Sequence, residues 1–230
     1  ERLGFGQKVL SRQNLHVVSQ VSSAPRIITL EDKFGPVYFC PFPFAEPSVV
    51  RERLPDSLAA GHDQALADLV NNTLSALPSG RLVAIAHAFV AGGTSSESER
   101  PLSIGGVATV RAEIFAPFNY VALGHLHQPQ QVGKASIRYA GSLLKYSFAE
   151  AAQRKSVSIV DIDASGEVAI EEINLAPRRN VRCLQGYLNE LIANASQDVS
   201  QEDYIMAIIK DEGAVFDPMG KLRQVYPNVL

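Results

Sequence analysis

Apolar positions along this chain follow two rhythms. Between residues 63 and 77, Ala65, Leu66, Leu69, Val70, Leu74 and Leu77 recur at helical spacing and predict an amphipathic helix packed on a sheet. Elsewhere the runs are short and strand-like. Residues 15–21 read as a strand after the rest of a helix over 5–13. Residues 26–30 and 37–40 read as a hairpin turning at 31–35, and Pro41, Pro43 and Pro47 then predict an irregular loop. Residues 81–87 form a buried run, and 111–116 a short helix that Pro117 ends. Residues 121–123 form a second buried run, closed by Gly124, and 137–142 a strand broken by Gly141. The alternation over 157–162 and 167–175, joined by Asp163-Ala-Ser-Gly166, predicts a β-hairpin. Past Pro177 the pattern changes to a helix over 184–195, a strand over 204–210 and a short helix over 218–224. This predicts a second, smaller module from about residue 178.

The chemistry-bearing residues sit where these runs end. His125 and His127 follow Gly124, and in an extended backbone side chains at i and i+2 share a side. Gly124 lacks a Cβ, so the backbone there can pass close to an ion or a phosphate. A histidine pair alone is a weak signal, since most strand-end histidines are simply hydrogen-bonded. The run at 81–87 also ends in a histidine, His87, so three of the five histidines terminate strand-like runs. That pattern predicts a metal site at strand ends. His16 reads as an edge residue and His62 as a residue at a helix start. The long polar, glycine-containing segment 91–106 reads either as a functional loop beside His87 or as a solvated insertion.

Composition narrows the picture. With 46% hydrophobic and 20% charged residues in 230, the chain is an ordinary globular one and not disordered. A net charge of -3 gives no global attraction to nucleic acid, so any such binding must come from a local patch. Cys40 and Cys183 match no zinc spacing and predict reduced thiols in a cytoplasmic protein. No signal peptide or membrane-spanning run is present. The chain starts at Glu1 without a methionine and reads as a piece of a longer protein.

Four stretches together carry a family resemblance. They are Ala86-His-Ala-Phe-Val-Ala-Gly-Gly93, Ser98-Glu-Arg-Pro-Leu-Ser-Ile-Gly-Gly106, Tyr120-Val-Ala-Leu-Gly-His-Leu-His-Gln-Pro-Gln130, and Ile137-Arg-Tyr-Ala-Gly-Ser142 with Tyr146-Ser-Phe148. In this order, with Lys221-Leu-Arg and Tyr226-Pro-Asn-Val-Leu230, the chain resembles the bacterial SbcD nuclease subunits, which are calcineurin-like metallophosphoesterases. The resemblance implies an α/β (α+β) fold: the C-terminal half of a metallophosphoesterase β-sandwich flanked by helices over 1–177, then a small α/β capping domain over 178–230, incomplete at its C-terminal end. It implies two Mn²⁺ ions (Mg²⁺ as an alternative), with His87 and His125 on one and His127 on the other. Imidazole with carboxylate suits such ions.

The family's first three motifs, Asp-x-His, Gly-Asp-x-x-Asp and Gly-Asn-His-Asp, are absent. The catalytic residues are therefore expected upstream of Glu1, and the 230-residue chain alone is expected to be inactive. The family implies ATP-dependent 3′–5′ double-strand exonuclease and single-strand endonuclease activity on DNA ends and hairpins. The implied partners are the SbcC ATPase and a second SbcD in a heterotetramer, in the bacterial cytoplasm at the nucleoid. Candidate phosphate contacts are Arg138, Lys145, Arg154, Lys155, Arg178, Arg179 and Arg182. A non-catalytic DNA-binding scaffold is the rival reading, and a small-molecule phosphodiesterase ranks last.

Overall fold

The computed structural model describes residues 6–99 and 108–230. In chain order its first elements are α1 (Gln7–Ser11), β1 (Ile28–Asp32), β2 (Gly35–Phe42), α2 (Pro47–Arg53), α3 (His62–Ser75), β3 (Arg81–His87), β4 (Phe89–Val90) and β5 (Thr109–Val110). There follow β6 (Tyr120–Gly124), β7 (Gln130–Val132), β8 (Lys134–Tyr139), β9 (Ser156–Ile162), β10 (Val168–Asn174), β11 (Val181–Gly186), α4 (Leu188–Asn194), β12 (Tyr204–Ile209) and α5 (Pro218–Arg223). The result is the mixed α/β architecture expected.

A six-stranded sheet in the order β1-β2-β3-β6-β8-β7 organises the larger part. Strands β2, β3, β6 and β8 run parallel in succession, while β1 and β7 pair antiparallel at the edges. Alternation decides the faces. Ala84 and Ala86 of β3, Val121 and Leu123 of β6, and Ile137 and Tyr139 of β8 bury into one core with Leu66, Leu69 and Val70 of α3. The opposite face carries Val83, Ile85 and His87, in register with Tyr120, Ala122 and Gly124. The β9–β10 hairpin is tied to this sheet at its turn and along β10. Arg81 donates to Ile162 O at 3.3 Å, Asn119 Nδ2 to Gly166 O at 2.9 Å, and Arg138 pairs with Glu172.

Three expectations change. Residues 15–21 form no ladder: among the described residues no strand pairs with them, although Val21 reaches the core. Pro41 lies inside β2 rather than in a loop. It pairs with Ile85 of β3 but sits beyond Phe39, the last β2 residue opposite β1, so a missing N–H costs nothing on that side. The helix read over 184–195 is instead strand β11 followed by α4. Leu184, Leu188, Leu191 and Ile192 mimic a helical face, but residues 181–186 pair in parallel with Tyr204–Ile209 and Gly186 ends the strand. Leu188 N then donates to Asp211 Oδ2 at 2.7 Å, which caps α4 from a distant loop.

Strands β11 and β12 with α4 and α5 enclose a separate small core of Leu188, Ala195, Ile205, Leu222, Tyr226 and Val229. A two-stranded parallel unit of this kind needs its crossover helix to cover one face, and α4 does so. Both cysteines are free, and burial pushes the Cys40 thiol up to about 11. Among the described residues no helix is long and apolar enough to cross a membrane.

Candidate functional site

Parallel strands that point their C-terminal ends the same way bring distant residues to one edge. β3 ends at His87 and β6 at Gly124, and these two residues are register partners. A Cβ on Gly124 would sit 3.2 Å from His87 Nδ1, so the glycine makes room for the ring. One residue further, His125 has φ 113°, a region that non-glycine residues rarely enter. The extended-backbone reading of the pair therefore fails at His125. The kink swings its ring against His87, with centroids 5.3 Å apart and an edge-on angle of 69°, and against Phe89 at 6.1 Å. Strain of this kind is held only where the surroundings over-determine it, and it concentrates at functional sites.

Among the described residues nothing hydrogen-bonds to the His87 or His125 ring. Burial lowers the pKa of His87. His125 is lowered by burial and by the neighbouring His87, with His127 adding to the effect and Glu99 opposing it. Both shifts favour the neutral ring, the form that ligates metals.

His127 takes a different place. Its ring packs by Tyr146 at 5.3 Å, and its Nδ1 lies 2.9 Å from Glu150 Oε1. Glu150 is fully buried and Lys155 nearly so, and Lys155 Nζ donates to Glu150 Oε2 at 2.7 Å. Burial raises the Glu150 pKa, but bonds from Lys155, Ser98 and His127 outweigh it and hold the carboxyl at about 2. The backbone of His127 is equally fixed. Its N–H donates to Glu99 Oε1 at 2.7 Å, and its carbonyl accepts from Ser142 N at 3.0 Å and Lys155 Nζ at 2.8 Å. Gly141, at φ 79°, makes this possible, because a Cβ there would lie 2.7 Å from His127 O.

The three histidines therefore do not meet at one point. Among the described residues no group of three or more His, Cys, Asp or Glu lies close enough to hold a metal ion. His87 and His125 fit half of a donor set, two neutral imidazoles side by side, and need oxygen ligands to complete it. Of the segment 91–106, the described part brings Ser98 and Glu99 to His127, and residues 100–106 lie outside the described residues.

Most of the basic candidates are engaged. Arg138 pairs with Glu172, Arg179 with Glu202, and Arg182 with Asp198 and Asp203. Lys145 donates to the carbonyls of Ala151 and Val181. Lys155 is buried against Glu150, which removes it from the surface altogether. Arg154 and Arg178 are exposed with no partner among the described residues, and Arg154 borders a cleft of about 440 Å³ with Lys145 and Arg179. Sequence reasoning missed Glu150, Ser98 and Glu99. The available signals were a carboxylate set in an apolar turn, Phe148-Ala-Glu150, and the place of Ser98 and Glu99 in one of the stretches that carry the resemblance.

Over its whole length the chain is 32% identical to the SbcD subunit of the SbcCD nuclease of Staphylococcus epidermidis, and 32% identical to the protein of the same name from Staphylococcus saprophyticus. The chain is thus similar along its whole length to SbcD nuclease subunits. It spans 61% and 60% of those two relatives, so it corresponds to part of their length. The family model SbcD_C, described as the type 5 capsule protein repressor C-terminal domain, matches residues 177–230. In this chain the match begins just before β11 and takes in the whole small core.

Proposed function

We propose that this chain is part of a metal-dependent DNA nuclease subunit that works with an SbcC-type ATPase. The observation that carries the reading is the pair of neutral imidazoles, His87 and His125, held by a strained backbone at the ends of adjacent parallel strands. The relatives' name, as a subunit of the SbcCD nuclease, supports the reaction class and the partner. In this reading His87 and His125 hold one Mn²⁺, or Mg²⁺, and His127 offers Nε2 to a second. The carboxylates that complete both sites come from the preceding part of the longer protein. Two such ions supply a Lewis acid at the phosphodiester and a water activated at neutral pH.

The chain's own residues do the positioning. Arg154 and Arg178 carry the unspent charge that would meet DNA phosphates near the cleft, and the division near residue 177 separates the nuclease part from a capping part. ATP-dependent exonuclease and endonuclease activity on DNA ends and hairpins, dimerisation within a heterotetramer, and a cytoplasmic location belong to the same proposal. The test is Mn²⁺-dependent cleavage of linear duplex DNA. The full-length protein should cleave, and its His87→Ala and His125→Ala variants should lose both cleavage and Mn²⁺ binding. The 230-residue chain alone should be inactive. Cleavage by the isolated chain would overturn the division of the site, and undiminished Mn²⁺ binding by both variants would overturn the ligand assignment. DNA binding without any Mn²⁺ binding would favour a non-catalytic scaffold.

A further inference from the structure

We propose that Glu150, held in place by Lys155, is the positioning residue that fixes the tautomer and direction of His127, so that Nε2 is the one ring atom offered to a ligand. The inference rests on the reading of His127 as a metal ligand and extends it to a residue 23 positions further along the chain.

An ionised carboxylate only accepts hydrogen bonds. With Nδ1 2.9 Å from Glu150 Oε1, the proton of a neutral ring sits on Nδ1, and that tautomer leaves the lone pair on Nε2. No other polar atom of His127 is free. The N–H is spent on Glu99, the carbonyl on Ser142 and Lys155, and Nδ1 on Glu150 with Ser98 Oγ at 3.2 Å. Nε2 alone has no partner among the described residues.

The carboxylate is itself locked. Oε1 also accepts from Ser98 Oγ, and Oε2 accepts from Lys155 Nζ at 2.7 Å and Tyr146 N at 3.3 Å. Lys155 is held in turn by Ser142 Oγ and Gln153 Oε1, each at 2.8 Å. A salt bridge this deeply buried seldom adds stability over an apolar pair of the same volume. Its geometry has a use if the carboxylate must stay charged against an imidazole. Histidine ligands commonly donate their second N–H to such a carboxylate, which fixes ring orientation and strengthens the ligand.

The test uses the full-length protein with ¹⁵N-labelled histidine, the metal-free His127 signals being identified by their loss in His127→Ala. Wild type should show the Nδ1-protonated tautomer. Glu150→Gln should shift it toward the Nε2-protonated form and weaken Mn²⁺ binding by about 10–100-fold, read by electron paramagnetic resonance of free Mn²⁺. An Nε2-protonated His127 in wild type overturns the proposal whatever the variant does, including failing to fold. So does a folded Glu150→Gln that keeps the wild-type tautomer, whether or not its affinity falls, because the role is then not positioning. If His127→Ala leaves Mn²⁺ affinity unchanged, the ligand reading itself fails, a result distinct from the others.

Discussion

Replacing Tyr139 by Phe removes one oxygen from the fully buried centre of the sheet. That hydroxyl donates to Ala88 O at 2.6 Å and accepts from Val90 N at 2.9 Å. It therefore clamps the chain immediately after His87, and burial pushes the phenol up to about 12. Phenylalanine keeps the ring and its packing but strands one buried carbonyl and one buried amide. Leaving a buried polar group unpaired costs about 1–3 kcal/mol, and two groups minus the phenol's own desolvation leave about 2–4 kcal/mol. For a chain of this size that is a fall in Tm of roughly 5–15 °C. Urea unfolding should show a lower midpoint with an unchanged m-value. Amide exchange at Val90 should rise more than at core residues distant from it, since the strand end loses its tie. A midpoint equivalent to wild type within about 0.5 kcal/mol would refute the view that this hydroxyl holds the His87 strand end.

Other outcomes follow from the same contacts. Arg81 is buried and bonds Asp32 through both guanidinium nitrogens, at 2.6 and 2.8 Å, and this lowers the Asp32 carboxyl from its ordinary 3.8 to about 2. The folded pKa is below the unfolded one, so the stabilisation is complete above about pH 4 and is lost as pH falls toward 2. Asp32→Asn should flatten that limb of a stability–pH profile, and an unchanged limb would refute the assignment. Gly141→Ala should cost at least about 2 kcal/mol in thermal unfolding, from the left-handed backbone and the clash with His127 O and Pro129. A neutral result there would be incompatible with the geometry. Lys155→Met should cost about 3–5 kcal/mol by leaving the Glu150 carboxylate buried alone, whereas the double variant with Glu150→Leu should cost much less than the sum of the singles. Additive costs in that cycle would mean the pair is not coupled.

What the sequence made legible is what repeats locally. Helix α3, strands β3 and β6 and the β9–β10 hairpin were readable because burial imposes a period of 3.6 or 2 on their residues. Residues 184–186 were misread because a chance i, i+4 spacing of leucines outvoted one glycine, and only pairing with a strand 23 residues away decides the matter. At the site, the three histidines were visible as residues but not as an arrangement. No pattern in Gly-His-Leu-His announces a φ of 113° at His125, which turns one imidazole toward His87 and leaves the next to a different partner. Lys155 looked like one more surface cation until its neighbours in space were known. Glu150 offered only a carboxylate in an apolar turn as a local cue, and its meaning lies in what it touches.

The left-handed backbone at His125 also bears on how the protein tolerates change. Glycine occupies such a conformation without penalty, while a histidine is held there at a cost of order 1–3 kcal/mol. His125→Gly should therefore unfold no more readily than wild type. A library of variants selected for heat resistance alone would tolerate glycine at 125 and silently accumulate proteins without that imidazole. Selection for the site's chemistry would remove the same variants. Position 125 is thus where durability and activity make opposite demands on a single side chain.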